Sequence, residues 1–233
     1  MIVQDNLNLL SDDGKYQWDM ISMFYKIKKN YLNMLLVSQN AGNYDIKLPE
    51  GSVFRINLAW CNSINELEEK LSKNKESDFF IDLPVGRIKP PNNRYSLDDI
   101  VPVLEKNDNV KYFAISNVES KNDLEEFLEK IPASINIVPK IESPNAVVNI
   151  DEICNSLKTR RKIVMLDHDD LFSSIIRKNE EKDSFQNYIK KLVDYCEKNE
   201  ISLLRTVGVV FSDDEKRTTQ YEKWSNKNWK NII

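Results

Sequence analysis

The chain has 233 residues, a length that fits one α/β barrel or one to two smaller domains. Apolar residues make up 41% and charged residues 30% of the chain, which excludes a disordered protein, and no apolar run approaches the roughly 20 residues that a membrane-spanning helix needs. The formal net charge of −4 gives no reason to expect nucleic acid as a partner.

Counts of individual residue types narrow the chemistry further. The five isolated glycines cannot assemble a glycine-rich dinucleotide or phosphate loop, and a single histidine, His168, excludes a mechanism that needs two. The N-terminus lacks the basic-then-apolar order of a signal peptide. The three cysteines, Cys61, Cys154 and Cys196, are odd in number and far apart, so we expect reduced thiols in a cytoplasmic protein.

The elements predicted in chain order begin with a helical extension over residues 1–32. Its apolar residues are spaced along one helix face, which predicts a cap on the barrel or a contact with a second subunit. Short apolar runs then predict strands, with starts about 20 to 40 residues apart, the period of βα units. The runs are Met34–Val37, Val53–Ala59, Phe79–Leu83, Tyr112–Ser116, Ile135–Ile141, Ile163–Leu166 and Ile201–Phe211.

Helix-start signals lie between several of these runs, where a serine stands three residues before a carboxylate. The pairs are Ser63 with Glu66, Ser96 with Asp99, and Ser120 with Asp123. The repeated order of strand, loop and capped helix predicts a parallel sheet. About seven strands without a glycine fingerprint favour a (β/α) TIM-type barrel over a dinucleotide-binding open sheet. We expect this barrel to be a single domain over residues 1–233, either complete or one strand short of eight. A helical tail over residues 212–233 could pack on this barrel or join a homo-oligomer.

Charged and polar residues stand at the ends of the predicted strands, which in a barrel converge on one mouth. They are Arg55, Asn57, Asp82, Arg87, Lys89, Ser116, Asn117, Lys140, Glu142, Asp167, Asp169 and Asp170. Carboxylates on adjacent strands with few histidines indicate a hard-cation site of the Mg²⁺ or Mn²⁺ type. Carboxylates at strand ends also cap helices, so both interpretations stay open on composition alone.

The segment Ile137–Ile153 resembles the pyruvate kinase pattern in which K-I-E-[NS] is followed by N-x-D-E-I. Three further stretches, Val53–Ala59, Tyr112–Glu126 and Val164–Leu171, are similar to other motifs of that family, in the same order. The matches cover roughly residues 50–175. The chain therefore resembles the phosphoenolpyruvate/pyruvate-binding barrel superfamily, whose barrel citrate lyase β-like proteins and metal-dependent hydroxy-acid aldolases share.

This resemblance implies roles for individual residues. Glu142 and Asp170 would bind a Mg²⁺ or Mn²⁺ ion that chelates a pyruvate-like ligand and stabilises its enolate. Lys140 would add positive charge beside the enolate oxygen, and Arg55 and Lys89 would be catalytic anion contacts. The substrate-binding set implied in this way is Arg55, Asn57, Asp82, Ser116, Asp169 and Thr206.

The chain also departs from the pyruvate kinase pattern. Residues 84–95 form only a short loop where that family inserts a lid domain, and Asp169 and Phe172 replace glycines. An aspartate at position 169 would repel a substrate carboxylate. We therefore expect a metal-dependent, lyase- or aldolase-like enzyme acting on pyruvate or a related 2-oxo acid. The alternatives are a kinase-like phosphotransferase acting on phosphoenolpyruvate and a catalytically degenerate binding or assembly member.

Overall fold

A computed structural model of the protein describes residues 24–26, 35–38 and 52–208 except 74, 88–89, 158–160 and 182, with side chains from residue 53 to residue 204. Eight strands follow one another around a closed barrel. They are β1 (Phe24–Lys26), β2 (Leu35–Ser38), β3 (Ser52–Asn57), β4 (Asp78–Leu83), β5 (Val110–Ile115), β6 (Asn136–Ile141), β7 (Ile163–Leu166) and β8 (Ser202–Gly208).

Strands β3 to β8 form a curled sheet of six parallel strands, and β2 adds a further parallel strand beside β3. These strands correspond to the apolar runs found in the sequence. Strand β1 closes the barrel by pairing antiparallel with both β2 and β8. Only residues 27–34 connect β1 to β2, and a parallel pair needs a longer crossover, so the antiparallel direction follows from the short connection.

Strand β1 lies inside the predicted N-terminal helix, and its three residues form a strand instead of helix. Three residues are too few to show a strand pattern in the sequence, and their apolar neighbours happen to match a helical spacing. The rest of residues 1–32 lies outside the described residues, as does the predicted helical tail over residues 212–233.

Seven α-helices are described between the strands. They are α1 (Ile64–Lys73), α2 (Leu97–Lys106), α3 (Glu125–Lys130), α4 (Pro144–Val148), α5 (Ile150–Ser156), α6 (His168–Arg177) and α7 (Ser184–Lys198), with 3₁₀ turns at Leu58–Trp60 and Lys121–Leu124. Each predicted serine–carboxylate pair marks a helix start, and Ser96 and Asp99 form a complete capping box on α2. None of the described helices combines the length and apolar character needed to cross a bilayer.

Between residues 53 and 204, where side chains are described, the strand side chains alternate between two apolar layers. The inner layer fills the barrel with Val53, Phe80, Tyr112, Ala114, Val138, Ile163, Met165 and Leu204. The outer layer packs the sheet against the helices, for example through Phe79, Ile81 and Leu83 of β4. Residues two apart on a strand face the same way. The side chain two positions after the last inner-layer residue of a strand therefore also faces the barrel interior, at its mouth.

The three cysteines are buried and form no disulfide. Cys154 on α5 is fully buried, and this burial raises the pKa of its thiol to about 12. Burial likewise raises the pKa of Cys61 and Cys196. The thiolate is the reactive form of cysteine, so these groups are structural in the native protein.

Candidate active site at the barrel mouth

Five polar side chains continue the inner layer to the carboxyl ends of the strands. Arg55, Asp82, Ser116, Lys140 and Asp167 each stand two residues beyond an inner apolar side chain. The carboxyl ends of parallel barrel strands meet at one mouth, where barrel enzymes place their chemistry. The alternation of the strands therefore gathers two cations, two carboxylates and a hydroxyl in one place.

Arg55 and Asp82 form an ion pair at the base of this mouth. Nε of Arg55 donates to Oδ2 of Asp82 at 3.1 Å, and the terminal guanidinium nitrogen Nη2 contacts the same oxygen. Asp82 is fully buried, and its Oδ1 accepts no hydrogen bond from the described residues. Burial by itself would raise the pKa of Asp82, but the charges of Lys140 and Arg55 outweigh it and lower that pKa. Asp82 is thus the counter-charge of the two cations.

Lys140 lies at the centre of the cluster and is only 5% exposed. Its ammonium nitrogen Nζ lies 2.6 Å from Oε1 of Glu142 and donates to Oγ of Ser116 at 3.1 Å. It also lies 3.8 Å from Oδ2 of both Asp82 and Asp167. Burial opposes the charged form, but the three carboxylates outweigh it and raise the pKa of Lys140, so the amine is held as an ammonium.

Glu142 follows β6 and is held from two sides. Its Oε1 faces Lys140, and its Oε2 accepts the backbone N–H of Asn117 at 2.7 Å. Burial and the nearby Asp167 carboxylate together raise the pKa of Glu142 in spite of Lys140. Asn117 has a left-handed backbone with φ of 58°, and its side-chain amide donates to the carbonyl of Val85 at 2.6 Å. The turn after β5 therefore aims a backbone donor at Glu142.

Three aspartates lie where β7 meets α6. Asp167 caps the helix by accepting the backbone N–H of Asp170 at 3.2 Å. One carboxylate oxygen from each of Glu142, Asp167 and Asp170 lies within 4.8 Å of the others. Asp169, one residue before Asp170, is exposed. The helix N-terminus thus presents Asp167 and Asp170 toward Glu142, which follows the neighbouring strand β6.

The donor set of Glu142, Asp167 and Asp170 fits a hard divalent cation. Mg²⁺ binds oxygen at about 2.0–2.1 Å, so two oxygens on opposite sides of one ion are about 4 Å apart. The three oxygens, within 4.8 Å of one another, need only small side-chain movements to share an ion. Three carboxylates with no nitrogen or sulfur donor suit Mg²⁺ or Mn²⁺.

The remaining predicted site residues have different surroundings. Asn57 caps the 3₁₀ turn after β3, because its Oδ1 accepts the backbone N–H of Ala59 at 2.9 Å. Ser116 is buried and accepts its hydrogen bond from Lys140. Lys89 and the side chain of Thr206 lie outside the described residues.

Sequence reasoning left one functional candidate without a role and missed another. Asp167 stands among the predicted strand-end charges, but it aligns with an alanine of the pyruvate kinase motif, so the resemblance did not name it as a metal ligand, although its place two residues after Met165 directs it to the mouth. The backbone N–H of Asn117 has no signature in a sequence, because any residue except proline has such a group.

A cleft of about 310 Å³ opens beside Glu142. It is lined by Asn117, Val118, Glu119, Asp123, Glu142 and Ser143. The cleft thus reaches the charged cluster from the side of the loops that follow β5 and β6.

The left-handed backbone of Asn117 leads to a stability prediction. We expect Asn117→Ala to be less stable than Asn117→Gly by about 1 kcal/mol, because only glycine adopts this conformation without steric cost. At an ordinary φ, alanine would be the more stable of the two. Urea unfolding of both variants measures the difference. An alanine variant as stable as the glycine variant would contradict the strain argument.

Comparison with known proteins supports the fold. No family model matches the chain, and no curated protein matches it. The crystal structure of RipC from Yersinia pestis is similar over 83% of each chain, with a TM-score of 0.53 and 15% sequence identity. The crystal structure of an HpcH/HpaI aldolase from Desulfitobacterium hafniense DCB-2 matches 65% of this chain and 66% of its own, with a TM-score of 0.47 and 14% identity. The likeness to RipC shows a shared fold.

Proposed function

We propose that this protein is a divalent-metal-dependent enzyme of the lyase or aldolase type, which binds pyruvate or a related 2-oxo acid and stabilises its enolate. The proposal includes membership of the phosphoenolpyruvate/pyruvate-binding barrel superfamily, to which the sequence motifs point. It also includes a cytoplasmic location, which the three buried thiols without a disulfide favour.

One observation carries the proposal: carboxylate oxygens of Glu142, Asp167 and Asp170 within 4.8 Å of one another, beside a buried ammonium. Helix capping alone explains Asp167, but it explains neither the burial of Glu142 nor its approach to Asp170. A 2-oxo acid offers a carboxylate and a keto oxygen to one metal ion, and its enolate carries the negative charge that such a site stabilises.

The chain's own residues would bind and orient the acid. Lys140, held as an ammonium, would lie beside the oxygen that becomes negative in the enolate. Arg55 has a side chain that is 13% exposed at the mouth and would attract the substrate carboxylate, while Asp82 holds it in place. Glu142, Asp167 and Asp170 would hold a Mg²⁺ or Mn²⁺ ion, which when bound supplies Lewis-acid stabilisation of the enolate.

Phosphoryl transfer is the second reaction class considered for this site, and it has less support. Strand β4 continues to α2 through residues 84–96, which leaves no lid domain at that position. Enolate stabilisation needs a metal ion and a cation but neither a lid nor a nucleotide, so the lyase or aldolase class fits this chain better.

The proposal is tested by two measurements on the unmodified protein. Calorimetric titration with Mn²⁺ in the presence of pyruvate is expected to show binding, which EDTA reverses. In D₂O with Mn²⁺, the protein is expected to exchange the methyl protons of pyruvate for deuterium, as followed by proton NMR, because an enolate forms when the methyl group loses a proton. Lactate, which has no keto group, is the matched control and should not exchange.

Each outcome of these measurements is decisive. Absence of Mn²⁺ binding both with and without pyruvate would overturn the metal site and with it the enzyme. Binding of Mn²⁺ and pyruvate without exchange would overturn enolate chemistry and favour the binding or assembly alternative. Exchange that persists after EDTA treatment would show that the metal ion is not required.

A further inference from the structure

The ammonium of Lys140 lies beside two of the three carboxylates that would hold a metal ion. Its Nζ lies 2.6 Å from Oε1 of Glu142 and 3.8 Å from Oδ2 of Asp167, and both residues belong to the candidate metal site. Mg²⁺ bound to Oε1 would lie about 2.1 Å from that oxygen, and therefore within about 5 Å of Nζ. Two cations at that separation, in a buried site, repel each other strongly.

Lys140 also has partners that are not metal ligands. It donates to the Ser116 hydroxyl at 3.1 Å and lies 3.8 Å from Asp82, whose Oδ1 accepts no hydrogen bond from the described residues. The other nearby cation, Arg55, is already bound to Asp82 Oδ2. If Glu142 binds a metal ion, the Lys140 ammonium loses its contact with that carboxylate but retains its contacts with Ser116 and Asp82. The ammonium then faces the mouth with less negative charge around it.

We propose that Lys140 is an internal counter-ion that competes with the metal ion for Glu142 and so makes metal binding depend on an anionic ligand. This inference rests on the proposed function. Without the acid, the ammonium neutralises Glu142 and weakens metal binding. With the acid present, its negative charge faces Lys140 and removes the repulsion, so metal and acid each strengthen the binding of the other.

The test compares Mn²⁺ affinity in variants that remove this charge. We expect Lys140→Met to bind Mn²⁺ alone at least about tenfold more tightly than the parent protein, because a repulsive charge is gone and Glu142 is released. Oxalate, a stable analogue of the pyruvate enolate, is expected to tighten Mn²⁺ binding by the parent at least about tenfold more than it tightens binding by the variant. Calorimetry with and without oxalate gives all four affinities.

A control and a second variant keep the test decisive. Lys190→Met removes an exposed lysine on α7 and should leave all affinities unchanged. Where Lys140→Met fails to fold, Lys140→Gln replaces it, since the amide can still donate to Glu142 without carrying a charge. Equal or weaker Mn²⁺ binding by these neutral variants would overturn the inference and leave the metal site itself intact. Absence of Mn²⁺ binding by every protein, with or without oxalate, would instead overturn the proposed function.

Discussion

Replacing Asp82 with asparagine is expected to lower the free energy of unfolding by about 3 kcal/mol, because the change leaves the buried Lys140 and the partly buried Arg55 without their shared counter-charge. Asparagine has nearly the same shape as aspartate, so the loss reports the charge and not a cavity. Asp82 is fully buried, binds Arg55 directly and lies 3.8 Å from Lys140. Urea unfolding of the parent and variant proteins at neutral pH measures this loss.

The effect of Asp82→Asn should depend on pH in a defined direction. The pKa of Asp82 is lowered in the folded protein, so its contribution to stability is present above the ordinary aspartate pKa of about 4 and is lost as the pH falls through the lowered value. The stability difference between parent and variant should therefore be constant from about pH 5 to pH 8 and shrink in stronger acid.

The matched control for this prediction is Asp78→Asn. Asp78 begins the same strand, β4, but is exposed, so its replacement should change stability by less than about 0.5 kcal/mol. Similar decreases in the free energy of unfolding for the two variants would show that the charge of Asp82 contributes no more to stability than an exposed charge does.

Replacing Asp170 with asparagine is expected to weaken Mn²⁺ binding by about 100-fold or more, because an anionic ligand of the candidate site becomes a neutral amide. The backbone N–H of Asp170 would still donate to Asp167, so the N-terminus of α6 keeps its cap and the variant should fold normally. Calorimetric titration with Mn²⁺ measures the affinity, and circular dichroism checks the fold.

The neighbouring residue provides an unusually close control. Asp169→Asn changes the same charge one position earlier on α6, at an exposed side chain outside the carboxylate cluster. We expect at most a threefold change in Mn²⁺ affinity, of the size that a nearby surface charge produces. Equal losses at positions 169 and 170 would mean that overall negative charge, and not coordination, attracts the ion.

Much of the fold could be predicted from the sequence because parallel barrel strands and capped helices leave local patterns. The apolar runs and the serine–carboxylate pairs mark strands β2 to β8 and three helix starts in the structure. Strand β1 left no such pattern: it has three residues, and its pairing with β2 and β8 depends on contacts far apart in the chain.

The candidate site was predictable only as far as side chains follow strand alternation. That rule brings Lys140 and Glu142 to one face of β6, and the structure shows their ion pair at 2.6 Å. It cannot give the distance from Glu142 to the aspartates of α6, which depends on how β6 and β7 pair and on where the helix begins. The repulsion of a substrate carboxylate by Asp169 stays a prediction, and the structure adds that its side chain is exposed, outside the carboxylate cluster.

The buried cysteines give the protein natural reporters of local opening. Cys154 and Cys196 belong to α5 and α7, whereas Cys61 follows the 3₁₀ turn after β3, so the three thiols sample different parts of the outer layer. In the native state they should resist alkylating reagents, and each would become labelled only when its own segment opens. Mass-spectrometric labelling with and without Mn²⁺ and oxalate would therefore reveal which segments a ligand at the mouth protects, without introducing any foreign probe.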